Sequence, residues 1–416
     1  MLKFSLTVAG NVKDLKEVKV LQSIFFLRSP TRSEIAQRAG TSPVSVTALL
    51  NRLLEKGLVE RAGKTQNRSG RPSSVYRLAS CVGYSLGVSV DAGSFRTAAV
   101  DPRRTVLHEG EFTLSLSSNP ADHLDDITRQ ISTELRAAMS SPELRDRRPL
   151  AIGLSMPGMV DTERGVWLQG LQVSGIAHIP LRTIMERAFG VPVVVEDVTR
   201  CLAFLTAERW WPASSRDMIY LFLGSGVGTG IIIGEEPYLG SRGLAGEVGH
   251  LVVEEEGERC TCGNIGCLET VVSRPSILRR FHRRLSEGVI SSLQYFQAKD
   301  APPLTLDAIR EAALSGDRLA RSTLFEIGTF LGDACCKIIT LYNPRALVIG
   351  GPAAIFGEFL REPIWITIRQ RVIPEMLEGF TLDITLSDPH DEALGAALLA
   401  ERRFWKYAAA SGICFG

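Results

Sequence analysis

Residues 246–269 decide the fold and read GEVGHLVVEEEGERCTCGNIGCLE. They bring one imidazole and three thiols within 18 residues, namely those of His250, Cys260, Cys262 and Cys267. Three thiolates and one imidazole form a ligand set typical of closed tetrahedral zinc sites, and glycines between the cysteines suit a backbone that turns tightly around an ion. The pattern therefore predicts a structural Zn²⁺ site, with a chance cluster of reduced thiols as the alternative.

The same stretch resembles the signature of the ROK family, whose name stands for repressors, unknown open reading frames and sugar kinases. The matching pattern is Gly-Glu-x-Gly-His followed by Cys-x-Cys-Gly-x-x-Gly-Cys-x-Glu. Further matches, described below, extend the resemblance from about residue 12 to about residue 405. The resemblance implies an α/β, two-lobed, actin-like fold of the sugar kinase, Hsp70 and actin type.

Charge divides the chain into a basic head and an acidic body. The 416 residues are 45% hydrophobic and 22% charged, as in an ordinary globular protein of two or three domains. Residues 1–78 hold 14 lysines and arginines against 5 acidic residues, a net charge of +9, whereas the remainder holds 33 against 41, a net charge of −8. The head is therefore expected to bind a polyanion, with a solvated basic surface as the alternative.

The sequence carries no clear targeting or membrane signal. No apolar run approaches the ~20 residues of a membrane span, and charges within the first 16 residues interrupt any signal-peptide core. Three of the eight cysteines belong to the cluster, and the other five show no disulfide-framework spacing. A cytoplasmic protein with no membrane partner is predicted.

The head, residues 1–80, is predicted to be a winged helix-turn-helix domain. Apolar residues at helical spacing predict a first helix over about 12–28. A capping box beginning at Thr31 opens a second helix, and Ser42-Pro43 opens a third after a glycine turn. Two short strands around a polar tip complete the pattern as a wing. A helical bundle that docks protein is the alternative.

The third helix is expected to read the major groove of DNA and the wing to enter the minor groove. A Gly-Arg-Pro turn at 70–72 can insert an arginine into a narrow, electronegative groove, and the wing of ROK repressors is similar. Further along the helix, Arg52 and Lys56 are expected to contact phosphate or water. In the alternative bundle, Val44 would be a core residue. The predicted DNA-binding residues are Ser42, Val44, Ser45, Thr47, Arg68 and Arg71.

The body, residues 81–416, is predicted to form two kinase-like lobes. Lobe one is expected over about 81–198 plus 393–416, and lobe two over about 199–392. Glycine-containing turns after predicted strands resemble the nucleotide-binding loops of ROK kinases. The resemblance assigns the following residues to a degenerate ATP site: Asp91, Gly93, Gly224, Gly226, Gly228, Gly350 and Gly351.

The phosphoryl-transfer residues depart from the family pattern in two places. Ser94 and Phe95 stand where the first phosphate loop has Gly and Thr, and a phenyl ring offers phosphate no hydrogen bond. Glu196 stands where the family has Asn, beside Asp197. By resemblance, Asp197 is the general base and the catalytic residue if kinase activity is retained. The alternative is a carboxylate pair simply solvated at a strand end.

The sugar side matches the family pattern better. By resemblance, the substrate-binding residues are Glu196, Asp197, Glu247, His250 and Glu269. His250 can place one ring nitrogen on zinc and the other on a sugar oxygen, or serve the metal alone. For Glu247 and Glu269 the alternative is a brace for the metal ligands. A charged helical stretch over 273–325 is expected to be solvated rather than a second nucleic-acid site.

Together these patterns predict a sugar-responsive DNA-binding regulator that represses genes of carbohydrate uptake or catabolism. Its expected partners are a double-stranded DNA operator, a sugar or sugar-phosphate effector, and a second copy of the chain that sets two heads on neighbouring half-sites. Closure of the lobes on the ligand would shift the orientations of the head. Two alternatives stay open. One is an ATP- and Mg²⁺-dependent sugar kinase with a DNA-binding head, and the other is a regulator controlled by docking to another protein.

Overall fold

The computed structural model describes residues 15–64, 72–91, 93–113, 123–170, 177–210 and 217–408. The chain divides into two compact units. The first contains the head and the first lobe, up to Cys201 and again from Pro389, and the second runs from Leu202 to Asp388. The basic head therefore belongs to the same compact unit as the first lobe.

The head folds as three helices followed by a two-stranded antiparallel wing, as expected. The elements are α1 Leu15–Leu27, α2 Arg32–Ala39, α3 Pro43–Glu55, β1 Val59–Lys64 and β2 Ser74–Leu78. The capping box forms: the backbone N–H of Thr31 donates to the Glu34 carboxylate at 2.7 Å, and the Thr31 hydroxyl accepts from the Glu34 N–H at 3.4 Å. Gly40 ends α2 in the left-handed conformation, with φ of 65°.

The third helix buries one face and exposes the other. Its buried side chains are Val46, Leu49, Leu50 and Leu53. They recur at helical spacing, so they form one stripe against the other head helices. Val44 lies on the opposite side and is 81% exposed, so it is not a core residue. The alternative in which Val44 is a core residue is therefore wrong.

The first lobe is built on a five-stranded sheet with the strand order β10-β6-β3-β4-β5. Strands β10, β6 and β3 run parallel, and β3, β4 and β5 are antiparallel. Strands β7, β8 and β9 form a small separate sheet. The elements are β3 Tyr84–Asp91, β4 Ser94–Val100, β5 Val106–Thr113, α4 His123–Met139, β6 Pro149–Met156, β7 Met159–Asp161, β8 Val166–Gln169, β9 Ala177–Ile179, α5 Leu181–Phe189, β10 Val193–Asp197 and α6 Val198–Trp210.

The second unit repeats this plan with the strand order β13-β12-β11-β14-β15. Three parallel strands, β11, β14 and β15, are again extended on one side by antiparallel neighbours. The sequence nevertheless shows no internal repeat. The same strand order can be formed by different apolar residues, as long as they bury the same surfaces. The elements are β11 Met218–Leu223, β12 Val227–Ile233, β13 Glu236–Pro237, α7 Glu269–Val272, α8 Arg274–Ser286, α9 Leu306–Leu314, α10 Arg318–Tyr342, β14 Ala346–Gly350, α11 Glu358–Arg371 and β15 Thr381–Ile384.

The last helix, α12 Asp391–Tyr407, returns to the first unit and lies directly on its sheet. A Cβ on Gly87 of β3 would lie 1.8 Å from the Ala393 carbonyl oxygen, and a Cβ on Gly153 of β6 would lie 2.0 Å from that of Ala396. Only glycine permits these two approaches. Within the described residues, no helix is both long and apolar enough to cross a membrane.

The end of α12 completes the core of the head. The rings of Phe25 and Trp405 stack with centroids 5.6 Å apart, and the Gln22 amide donates to the Trp405 carbonyl at 2.7 Å. Val82, between the wing and β3, is only 2% exposed and belongs to the same buried cluster. The segment 79–83 is therefore packed between the head and the first lobe.

Candidate metal and sugar site

The four predicted metal ligands converge. The Cys260 Sγ lies 3.6 Å from the His250 Nδ1, and the Cys262 Sγ lies 3.6 Å from the Cys267 Sγ. All four donor atoms lie within 4.8 Å of one another. Donors placed tetrahedrally at the usual zinc bond lengths lie about 3.5–3.8 Å apart. The donor set and its spacing thus fit a tetrahedral ion, and the described residues hold this one such group.

Close backbone packing explains the glycines of this stretch. Gly266 has φ of 69°, and a Cβ there would lie 1.6 Å from the Glu254 carbonyl oxygen. A Cβ on Gly249 would lie 2.2 Å from the Val227 carbonyl oxygen of β12. The zinc loop, residues 246–269, is thereby pressed against itself and against the glycine-rich hairpin of the second sheet. Larger residues at these two glycines would displace the ligands.

The thiols of the cluster differ in how readily they ionise. Burial raises the pKa of the Cys267 thiol to about 12, and hydrogen bonds with Cys262 and Cys260 act in the same direction. A backbone N–H near Asn264 lowers the pKa of the more exposed Cys262. A cation at the centre of the cluster would offset the cost of ionising a buried thiol, because coordinated thiols are held as thiolates.

Ion pairs with α8 brace the zinc loop from behind. The Arg280 guanidinium lies 3.1 Å from the Glu254 carboxylate, and Arg279 lies 3.4 Å from Glu258. Arg283 also pairs with Glu258. The side chain of Arg280 is only 13% exposed. The charged stretch expected to be solvated is indeed helical, but several of its arginines form ion pairs with this loop.

The second unit presents three of the predicted sugar-binding side chains. His250 turns Nδ1 toward the thiols, so Nε2 is the nitrogen on the other side of the ring. One carboxylate oxygen of Glu269 accepts from the Val227 N–H at 3.0 Å. Glu247 is exposed and directly precedes the turn that carries His250. This arrangement permits both roles predicted for His250 and leaves carboxylate oxygens for hydroxyl donors.

Glu196 does not reach a sugar in this structure. It is 1% exposed, and its Oε1 accepts from the Arg200 Nε at 2.6 Å and from the Thr162 hydroxyl at 2.6 Å. A carboxylate so enclosed has no free path to a ligand. The predicted contact of Glu196 with substrate stays a prediction that this geometry does not favour, because the residue is a buried partner of Arg200. The alternative of a pair solvated at the strand end fails for the same reason.

Asp197 is engaged by the start of α6. Its Oδ1 accepts from the Thr199 hydroxyl at 2.5 Å and from the Arg200 N–H at 3.0 Å, and its other oxygen pairs with the Arg200 guanidinium. Burial opposes the charge of Arg200, but the neighbouring Asp197 and Glu196 raise its pKa, so it remains a cation. A carboxylate neutralised by an arginine and backbone donors is a weak acceptor for a hydroxyl proton.

The first predicted phosphate loop lies at the turn between β3 and β4. Gly93 has φ of 87°, as the tight turn requires. Phe95 is 1% exposed and belongs to the core of the first lobe, so its ring points into the protein. Asp91 ends β3, and its side chain lies outside the described residues. Because this ring is buried and carries no hydrogen-bond donor, the loop lacks the phosphate-binding hydroxyl that the family pattern has at this position.

The second and third nucleotide loops have an aromatic ring packed against them. A Cβ on Gly224 would lie 2.3 Å from the ring of Phe222, and one on Gly351 would lie 2.9 Å from the same ring. Phe222 pairs with both neighbouring strands, so its ring covers the start of both loops. No local sequence pattern indicates this contact, because the two loops are more than a hundred residues apart in the chain. The remaining predicted glycines lie beside them, namely Gly226, Gly228 and Gly350.

The predicted DNA-binding hydroxyls are partly engaged within the head. Ser42 caps α3, accepting from the Ser45 N–H at 3.2 Å and donating to the Ser45 hydroxyl at 3.0 Å. Thr47 donates to the Pro43 carbonyl at 2.8 Å and accepts from Arg32 at 3.2 Å. Val44 is the most exposed of the described candidates. Two further predicted residues, Arg68 and Arg71, lie outside the described residues.

Other charged residues of α3 turn away from the outer face. Arg52 and Lys56, expected to contact phosphate or water, both pair with Glu17 of α1, at 3.4 Å and 3.0 Å. Two exposed residues were missed, Arg32 at the start of α2 and Asn51 on α3. Helical periodicity could have found Asn51, because it lies two turns from Val44 on the same face.

The structure combines a winged helix-turn-helix head, a two-lobed kinase-like body and a Cys₃His cluster in the second lobe. These features define a class of sugar-kinase-like proteins that carry a DNA-binding domain. The ROK family model matches residues 85–403, and the MarR family model matches residues 14–68. The ROK match covers more than half of the chain. The chain belongs to the ROK family, and both the predicted family and the predicted fold are confirmed.

Known proteins match over almost the whole chain. The xylose repressor of Caldicellulosiruptor bescii is 26% identical over 392 residues, which are 94% of this chain and 95% of that protein. The DNA-binding transcriptional repressor Mlc of Escherichia coli is 28% identical over 403 residues, 95% of this chain and 96% of that protein. The crystal structure of a ROK family transcriptional regulator, a homologue of E. coli Mlc, shares the fold with a TM-score of 0.80 at 23% identity, over 96% of this chain and 99% of that one.

Proposed function

We propose that this protein is a transcriptional repressor of carbohydrate uptake or catabolism genes whose DNA affinity responds to a sugar or sugar phosphate. The observation that carries the proposal is the head: a winged helix with a net charge of +9 that presents the outer face of its third helix to solvent. A basic surface with an exposed recognition helix is suited to duplex DNA. The full-length similarity to proteins named repressors supports the same function.

The operator is proposed to be bound by a homo-oligomer, with a dimer as the simplest form. A two-fold pair of heads would contact half-sites about 10 base pairs, or a multiple of that, apart. The packed segment at Val82 supports a head that follows the first lobe, because the two share one buried cluster. A ligand that changes the arrangement of the lobes would then change the placement of the heads.

The effector is proposed to contact Glu247, His250 and Glu269 of the second unit. Carboxylate oxygens accept hydroxyl protons, which suits a polyol. The cluster of His250 and three cysteines is proposed to hold a structural Zn²⁺ ion that fixes the His250 ring. Zinc would supply rigidity here and not catalysis, since four protein ligands leave no open coordination position.

Three features oppose the alternative of an ATP-dependent sugar kinase. Arg200 neutralises Asp197, the residue that would act as general base. Phe95 is buried where the first phosphate loop needs a donor. The ring of Phe222 lies against Gly224 and Gly351, where nucleotide would approach the backbone. Sugar-dependent ADP release that Asp197→Asn abolishes would support the kinase despite these contacts.

The test is fluorescence anisotropy of the protein on labelled DNA from its own upstream region, at fixed physiological salt, with a panel of sugars and sugar phosphates. We expect binding tighter than to random duplex and a shift with one ligand. Glu247→Gln should bind DNA normally and respond to that ligand only at a higher concentration. Glu255→Gln, an exposed glutamate of the same loop, is the matched control and should respond normally. Binding no tighter than to random duplex would refute the repressor.

A further inference from the structure

The outer face of α3 carries an apolar and amide ridge. Val44, Ala48 and Asn51 are all exposed and follow one another at spacings of four and three residues. Residues with this spacing lie on one face of a helix, one above the other. The buried residues Val46 and Leu53 lie on the opposite side. The ridge therefore points straight away from the core of the head.

The polar side chains near this ridge are less available than their number suggests. The hydroxyl protons of Ser42 and Thr47 are donated within the protein, to Ser45 and to the Pro43 carbonyl. The Ser45 hydroxyl accepts one of these bonds and keeps its own proton for an outside acceptor. Along α3, Arg52 pairs with Glu17. No arginine or lysine of the described helix thus points along the ridge, so the bidentate contact that selects guanine is missing from it.

Resting on the proposed function, we infer that the ridge selects A·T base pairs in the major groove, with Val44 and Ala48 on thymine methyl groups and Asn51 on adenine. Apolar side chains contact the thymine C5-methyl, and an asparagine amide pairs with the N6 and N7 positions of adenine. The first turns of a recognition helix approach the base edges most closely. Val44 is in the first turn, so its contact is expected to be the most intimate of the three.

Arg32 positions the ridge on the duplex. It is exposed at the start of α2 and donates to the Thr47 hydroxyl of α3 at 3.2 Å. A guanidinium that uses one N–H on the protein has four others for phosphate oxygens. Phosphate contacts set the register of a protein on DNA without reading its sequence. Arg32→Ala should therefore weaken binding to all duplexes alike, whereas changes on the ridge should alter selectivity.

The test begins with a randomised duplex library from which the full-length protein enriches its preferred site. Each thymine in that site is then replaced by deoxyuridine, which removes only the methyl group. One such replacement should weaken wild-type binding about fourfold, the effect of about one buried methyl group. Val44→Ala should lose a similar factor on the thymine site and nothing more on that deoxyuridine site. Val106→Ala, a 43% exposed valine of the first lobe, is the control and should retain the full effect of the replacement.

A second arm examines Asn51. Replacing adenine by 7-deazaadenine at one enriched position should weaken wild-type binding about tenfold and leave Asn51→Ala unchanged. If Val44→Ala and Asn51→Ala both show the full wild-type penalties for the altered bases, or if the enriched half-site is G·C, the inference is overturned while the repressor stands. If no sequence is enriched over random duplex, the proposed function itself fails, and this inference with it.

Discussion

The zinc loop at 246–269 and the nucleotide loops around Gly224 and Gly351 lie in the same unit but differ in what their side chains leave open. In the zinc loop, the four donor atoms of His250 and the three cysteines converge within 4.8 Å of one another. At the nucleotide loops, the ring of Phe222 lies where glycine would otherwise leave the backbone bare. The side chains of the zinc loop are arranged as for binding an ion, whereas the nucleotide loops are covered by a side chain of the protein itself.

The same difference separates the carboxylates. Glu269 uses one oxygen on the Val227 N–H, so its other oxygen keeps acceptor capacity for a hydroxyl, and Glu247 lies at the exposed surface. Asp197 and Glu196 instead share the cation of Arg200. A kinase-like frame can therefore lose phosphoryl transfer through a few side chains while its ligand-recognition residues remain. Function in such a fold is decided at the site and not by the frame.

The largest effect is expected from removing a ligand of the zinc loop. Cys262→Ser should abolish stoichiometric metal binding and unfold much of the second unit, because a structural zinc site supplies on the order of 10 kcal/mol. The measurement is metal content after dialysis together with circular dichroism on heating. Cys81→Ser, an exposed free cysteine far from the cluster in sequence, should leave both unchanged. A wild-type protein that is free of metal yet equally stable would contradict the assignment.

The next largest effect is expected at Arg200. Arg200→Met should destabilise the first unit by about 3–5 kcal/mol, because the buried Glu196 carboxylate would lose its nearest cation and keep only the Thr162 hydroxyl, one backbone N–H and the Arg403 guanidinium at 3.9 Å. Protonation would remove the buried charge, so the stability deficit should grow as pH rises from about 4 to 7 and shrink on acidification. Urea unfolding across this range measures it.

A matched double variant sharpens that prediction. Glu196→Gln combined with Arg200→Met should recover part of the loss, since the more deeply buried carboxylate is gone and only Asp197, which is 14% exposed, lacks its cation. It should also reduce the dependence on pH between 4 and 7. A single variant with the same deficit at both ends of the range would show that the lost packing of Arg200, and not the stranded charge, is responsible.

A moderate effect is expected from uncovering the nucleotide loops. Phe222→Ala should raise the affinity for a non-hydrolysable ATP analogue by roughly tenfold, about 1.4 kcal/mol, because the ring no longer lies over Gly224 and Gly351. Titration calorimetry measures this change. Phe325→Ala, a 48% exposed phenylalanine of the same unit, is the control. Tight ATP binding by the wild-type protein would break the contrast between the two regions.

The smallest effect is expected at the ion pairs behind the zinc loop. Glu258→Gln should cost less than about 1 kcal/mol and should leave the metal content unchanged, because its partners Arg279 and Arg283 are more than half exposed and are screened by salt. Thermal melting at low and high salt measures it. Loss of metal in this variant would mean that ion pairs, and not the ligands alone, hold the loop.

Local patterns predicted most of the frame. The capping box at Thr31 forms, and the helix expected near 181–189 is α5. The Cys₃His cluster was also predictable, because its ligands lie within 18 residues and their glycines mark the turns. These features depend on neighbours in sequence, so the residue pattern alone contains the information.

Contacts between distant segments were beyond such patterns. Phe222 meets Gly351, and Phe25 meets Trp405, only because the chain returns after more than a hundred residues. The burial of Glu196 against Arg200 was missed for a different reason, because Arg200 follows Glu196 by only four residues, at the start of a helix. That spacing is typical of a helical ion pair and gave a usable signal. The resemblance to kinases predicts that Glu196 contacts a ligand, whereas the local spacing predicts that it pairs with Arg200.

The stacking of Phe25 on Trp405 has a consequence for the order of synthesis. The head leaves the ribosome before the body does, yet Trp405, which covers Phe25, is made some 380 positions later. Until α12 has emerged, the head exposes an aromatic surface and lacks one wall of its core. The DNA-binding surface therefore reaches its final packing only after the body has been translated, which ties the maturation of the repressor to completion of its sensor.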